Sequence, residues 1–149
     1  MSRAISKRLL PHTVTLYNFV STGSYSVVTL KNVYVEHKKN ANISTLGSSN
    51  ANITLMIIDC INTTAFNRYG APLSYLSPKQ WQESTDKDSY WTLQDSSKDI
   101  FVLGEIDNVL DNCNINTVKS KYQAYAIKSI DTFYNTGSDK MHHFEVSGV

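Results

Sequence analysis

The side chains that could carry chemistry in this chain are few, and their spacing brings none of them together. Four histidines are present: His12, His37, His142 and His143. Adjacent residues on a strand point to opposite faces, so His142 and His143 cannot easily share one metal ion. Metal centres need His, Cys and carboxylates at characteristic spacings, and no such cluster occurs. Cys60 and Cys113 lack a near Cys neighbour. Two thiols do not make a disulfide framework, and they read as free, buried side chains. Asp59 beside Cys60 could suggest a nucleophile, but that pair ends an apolar run and reads more simply as core packing. Asp99 and Glu105 flank another apolar run, where carboxylates are commonly solvated. The six glycines are scattered singly, so no phosphate-cradling loop and no Gly-x-Ser-x-Gly elbow is present. The expectation is a non-enzymatic protein with no catalytic residue, no metal ligand and no cofactor.

The elements around these residues read as strands. His12 to Val20 is β-branched and aromatic, with Val14 and Leu16 on one face and Thr13, Thr15 and Tyr17 on the other. Tyr25 to His37 holds a second extended region, clearest where Val33 and Val35 share a face. Lys38 to Asn50 is polar and turn-rich, and long insertions between strands usually have a function or are disordered. It reads as a projecting hairpin or loop. Ala51 to Asp59 is the strongest strand, apolar on both faces and therefore expected to be central and covered on both sides. Asn62 to Leu76 reads as a loop. Ser77-Pro78-Lys79-Gln80 is a helix start, with Ser as N-cap, Pro at the first helical position and Gln completing a capping box. Trp81 then anchors a short helix; a ligand role for its ring is the lesser reading. Tyr90 to Leu93 and Asp99 to Glu105 look like two paired strands. Ile106 to Asn112 reads as a turn or short helix. Tyr122 to Asp131 and Met141 to Val146 make an antiparallel hairpin through the Asn135-Thr136-Gly137-Ser138 turn. Six or seven strands with one or two short helices predict a mainly β fold, a small barrel or sandwich. Residues 1–11 form an N-terminal arm and 12–149 a single domain.

Composition narrows the classes further. The 149 residues are 41% hydrophobic, enough for one packed core. Only 18% are charged, and Ser, Thr and Asn fill the difference. The nine Tyr fit an interface-rich surface and fit strands equally well. A net charge of +1 lacks the basic surplus of a protein that grips duplex DNA, so any DNA contact is local or lines a channel. No apolar run approaches the roughly 20 residues of a membrane span. The basic start, with Arg3, Lys7 and Arg8, is not followed by a secretory apolar region, so synthesis in a cytoplasm is expected. The sequons at Asn42, Asn52 and Asn62 then carry no weight.

The order of these segments resembles a known family. Val14-Thr15-Leu16-Tyr17-Asn18 is followed by Leu30-Lys31-Asn32-Val33-Tyr34-Val35-Glu36, a long loop, and the strand Ala51 to Ile58. Tyr75-Leu76-Ser77-Pro78-Lys79-Gln80-Trp81 comes next, then Trp91-Thr92-Leu93 and Asp99 to Glu105. Ile127 to Asp131 and His143 to Gly148 close the series. From about Thr13 to Gly148 this is similar to the head-closure ("stopper") or minor capsid proteins of long-tailed phages. The resemblance implies a small β-barrel with a long loop and a short helix, and no catalytic residues. It implies a homo-oligomeric ring, hexamer or dodecamer, in the virion neck. The partners would be a portal or adaptor protein on the head side and a tail-terminator or tail-tube protein on the tail side. Packaged DNA would pass through the channel without sequence-specific binding, and near-zero net charge suits a channel that must release it. The candidate contact residues are Ser2, Arg3, Lys7 and Arg8 on the arm, and Lys38, Lys39, Asn42, Leu46 and Asn50 on the projecting loop. Asn112, Asn114 and Lys119 join them, because Ile106 to Lys121 is longer and richer in Asn than a simple connection. Two other readings stay open: a tail-terminator or tail-completion ring protein, and a monomeric β-barrel module that holds a ligand in its loops.

Overall fold

Alternation of apolar and polar residues sets the strands, and one unusual asparagine sets how they divide. The structure, a computed structural model, describes residues 5–44, 47–95, 98–106, 115–133 and 142–149. Within these, residues 38–44, 47–52, 115, 117 and 133 are described by their backbone alone. The strands are β1 (His12–Ser21), β2 (Ser24–Ser44), β3 (Gly47–Asp59), β4 (Thr64–Asn67), β5 (Pro72–Tyr75), β6 (Tyr90–Trp91), β7 (Ile100–Leu103), β8 (Ala124–Phe133) and β9 (His143–Gly148). The helices are α1 (Pro78–Glu83) and α2 (Ile115–Lys121), and single 3-10 turns occur at Lys7–Leu9 and Lys87–Ser89.

Neighbours run β1-β7-β8-β9-β3-β2, and β2 returns to β1, so six antiparallel strands close a barrel. Closure removes the sheet edges that would otherwise invite aggregation. The mainly β, small-barrel expectation holds. The count rises to nine strands among the described residues, because β4, β5 and β6 extend the sheet outward from β2. Val14, Leu16, Leu30, Val33, Met56 and Ile127 fill the interior. On the outer wall Tyr17 and Val102 are also buried, because Val118 of α2 packs over them.

β2 serves two partners along one strand. Residues 28–31 pair with β4, and residues 33–44 pair with β3. The change occurs at Asn32, which has φ 63 and is skipped in the β1 register, where His12 faces Val33 and Thr13 faces Lys31. Asn is one of the few residues that tolerates this left-handed backbone. Its carbonyl accepts a 2.6 Å bond from the Thr63 hydroxyl, and its Nδ2 donates to the Asn62 carbonyl. The turn from β3 to β4 is thereby pinned to the bulge.

α1 begins as its sequence predicts, with Ser77 Oγ accepting from the Gln80 N–H and Pro78 in the first turn. The capping box is incomplete, because the Gln80 side-chain oxygen takes the Ser77 hydroxyl proton at 3.1 Å. Trp81 is fully buried, and its Nε1 donates to the Tyr90 carbonyl.

Several expectations are corrected. Asn62 to Leu76 is not a plain loop; it contains the β4–β5 hairpin. Tyr90 to Leu93 and Asp99 to Glu105 do not pair with each other. β6 runs parallel to β5, and β7 closes the barrel between β1 and β8. β3 is central by its two neighbours, but only the Met56 and Ile58 face is buried; Ile53, Leu55 and Ile57 are half-buried. Asp99 is fully buried rather than solvated. Cys60 is exposed rather than buried. Cys113, residues 107–112 and the Asn135 to Ser138 turn lie outside the described residues.

Candidate functional site

The element that departs most from a plain barrel is the β2–β3 hairpin. β9 leaves β3 at the Thr54–Gly148 pair, but β2 and β3 continue together for seven more rungs, from Lys38–Ile53 to Ser44–Gly47. At ~3.3 Å per residue the ribbon runs roughly 20 Å past the last β9 rung. On the β2 side its free edge starts where the Val35 N–H donates to Nδ1 of His12 at 3.1 Å, beyond the last β1 rung. The segment read as a projecting hairpin or loop is therefore a hairpin. Lys38, Lys39, Asn42 and Asn50 lie on its paired backbone, and Leu46 lies outside the described residues.

The other sequence-selected residues are dispersed. Lys7 and Arg8 sit exposed in the 3-10 turn, while Ser2 and Arg3 lie outside the described residues. From Ile5 onward the N-terminal segment is docked on the barrel. The Ile5 N–H donates to Asp59 Oδ1 at 3.2 Å, the Ile5 carbonyl accepts from Asn62 Nδ2 at 2.6 Å, and Leu10 is buried. Lys119 is exposed near the end of α2, and Asn112 and Asn114 lie outside the described residues. The three segments do not converge. The N-terminal segment docks at the Asp59 end of β3, the ribbon leaves from the opposite end, and α2 covers the β1–β7 wall.

A second feature depends on the tertiary fold. Where β3 and β4 part at Asn32, the wedge between them holds an apolar cavity of about 550 Å³. Phe66, Tyr75, Trp91 and Phe144 supply four rings, with Ile58 and Leu73 between them. Tyr75 meets Trp91 edge-on at 5.2 Å, as aromatic pairs prefer, and lies tilted against Phe144 at 5.0 Å. Asp59 and Cys60 stand at the rim. Both Asp59 oxygens are occupied by backbone N–H groups, from Ile5 on one and from Ile61 and Asn62 on the other. Burial, and then the neighbouring Asp59 charge, push the Cys60 thiol up, so it is not an activated nucleophile. The only sequence signal for the cavity was the density of aromatic residues between Phe66 and Trp91.

A third feature is a buried polar cluster at Asp99. Its Oδ1 accepts from the Phe19 N–H and Gln94 Nε2, and its Oδ2 from the Gln94 N–H and Asn18 Nδ2, all at 2.8 Å. Gln94 Oε1 in turn accepts from Gln82 Nε2 of α1 at 2.6 Å. Desolvation dominates these four bonds and raises the Asp99 carboxyl to about 6. The cluster ties β1, the segment after β6, and α1 together without open access, as a structural clasp would.

Among the described residues no group of three His, Cys, Asp or Glu could hold a metal ion, and no helix is long and apolar enough to cross a membrane. The chain belongs to the DUF6751 family, a family of unknown function, whose model matches residues 9–149. No curated protein and no solved structure matches the chain.

Proposed function

We propose that this DUF6751 member is a structural protein of a tailed-phage particle, a head–tail connector ring subunit of the head-closure type. It would seal the DNA exit channel and offer the tail its docking surface. The observation that carries the reading is the β2–β3 ribbon on a closed barrel. A two-stranded ribbon is marginal in water by itself. Among the described residues it also leaves two rows of backbone groups to be satisfied by neighbours. Ring assembly supplies such neighbours. The low charge content, with 18% charged residues and a net +1, fits a protein whose surface is largely contact. The similarity in segment order to stopper proteins points the same way.

Electron microscopy of purified particles tests the reading. A ring of this chain between capsid and tail is the expected result, and absence of the chain from purified virions would overturn it. Cross-linking to portal rather than to tail-tube protein separates head closure from a tail-terminator role. The 550 Å³ cavity favours one reading of another class, a monomeric β-barrel module that holds an apolar ligand. A monomer that retains a small apolar molecule through purification would support that alternative.

A further inference from the structure

The cavity between β3, β9 and the β4–β5 hairpin has a matching protrusion on the same hairpin. Tyr69, at the turn, is 70% exposed, the highest value for a large hydrophobic side chain among the described residues. The turn that carries it is tightly held. Asn67 Oδ1 accepts from both the Tyr69 and Ala71 N–H groups at 2.9 Å. The Asn67 and Gly70 N–H groups close the ends, donating to the Ala71 and Asn67 carbonyls. Gly70 supplies the required left-handed residue at φ 84. The Arg68 guanidinium lies 4.8 Å from the Tyr69 ring centroid and donates to its hydroxyl at 2.7 Å. An aromatic ring held this firmly, yet largely uncovered in its own copy, has the properties of an interface anchor: large area at little further entropy cost.

We propose that the occupant of the aromatic cavity is Tyr69 of a second copy of this chain. The cavity is apolar, ring-lined and concave, and the one carboxylate among its described lining residues is already saturated by N–H donors, so it suits an uncharged ring better than a charged group. A phenol ring is small against a volume of about 550 Å³. Tyr69 projects from the turn and the cavity lies beside the strands of the same hairpin, so either a two-fold exchange or a head-to-tail contact that closes a ring can seat one copy's ring in another's cavity. That ring form rests on the connector reading; the Tyr69 contact itself does not.

Two measurements on the full chain test this. First, sedimentation velocity across a concentration series should show self-association that Tyr69→Ala weakens by about tenfold or more. Leu73→Arg, in the cavity wall, should weaken it similarly, while Tyr69→Phe should preserve it. Second, in a Cys113→Ser background under mild oxidation with copper phenanthroline, Tyr69→Cys should form a disulfide with Cys60 of another copy, giving multiples of 16.8 kDa on non-reducing gels that a further Cys60→Ser abolishes. A chain that sediments as a monomer at every concentration overturns the proposal, as does association unaffected by Tyr69→Ala. A ring in the particle neck whose Tyr69→Cys variant never forms that bond to Cys60 overturns this contact and leaves the connector reading intact. The bond forming in a chain absent from virions does the reverse.

Discussion

The Phe101 ring lies against the bare Cα of Gly148: a Cβ placed on Gly148 would sit 2.7 Å from Phe101 Cε1 and 3.0 Å from Tyr125 Cβ. Phe101 is fully buried on β7 and stacks on Tyr125 at 5.4 Å, so the ring has nowhere to move. Here glycine is required by space rather than by backbone angle. It allows β9 to finish inside a barrel already filled by two rings. Gly148→Ala should destabilise the fold by roughly 1–3 kcal/mol through overpacking. Denaturant midpoints of the single variant and of Gly148→Ala with Phe101→Leu check this. The second change should recover part of the loss, and a simple sum of two losses would argue against direct contact.

The Asp99 clasp makes stability depend on pH in an uncommon direction for a carboxylate. Burial raises its carboxyl to about 6 in the fold, against an ordinary value of 3.8. The folded chain therefore holds this proton more tightly than the unfolded chain. The associated stabilisation is fully present below 3.8, and it is lost as pH rises through about 6. Between pH 7 and pH 4 the wild type should gain roughly 2 kcal/mol from this group. Asp99→Asn should abolish that gain, and it should cost stability at pH 7 because an amide nitrogen would face two N–H donors. Unfolding midpoints of both chains at pH 7, 5.5 and 4.5 decide the matter; parallel pH profiles would sink the idea.

Asp59 holds the N-terminal segment and the turn after β3 through three backbone N–H groups. Asp59→Ala leaves those donors without their acceptor, at a cost of about 1–3 kcal/mol. Hydrogen exchange at Ile5 should accelerate in the variant while exchange within β1 stays slow. Equal acceleration at both would mean that the residue supports the whole barrel rather than the docked segment.

If the ribbon is an assembly element, the barrel should not need it. Replacing residues 40–51 by Asn-Gly, joined between the paired Lys39 and Asn52, keeps the register with a favoured two-residue turn. Thermal stability should change by less than about 1 kcal/mol, since the removed rungs pair with neither β1 nor β9. Incorporation into particles should fall sharply. Normal incorporation of the shortened chain would remove the assigned role.

Trp81 joins α1 to the rest of the molecule. Trp81→Ala should cost about 3–5 kcal/mol, because a fully buried indole and its bond to the Tyr90 carbonyl are both lost. Loss of near-UV circular dichroism together with a lower unfolding midpoint is the expected signature.

The sequence by itself determined what depends on near neighbours. The alternation in β1, the Ser77-Pro78 helix start, the polar reach from Lys38 to Asn50 and the pairing of the last two strands are all expressed within short stretches of chain. Only the tertiary structure decided what depends on which distant strands meet. Asp99 looked like a solvated strand end until β1 brought Asn18 and Phe19 across 81 and 80 positions of chain to enclose it. Tyr90 to Leu93 looked like a partner for β7, but closing the barrel gives β7 to β1 and β8 and leaves β6 beside β5. The aromatic cavity exists only because β2 changes partners at Asn32, and a single left-handed asparagine does not announce that in a linear reading. Periodicity and capping are local energies; closure, burial of a carboxylate and the parting of two strands follow from packing among residues that are far apart in the chain.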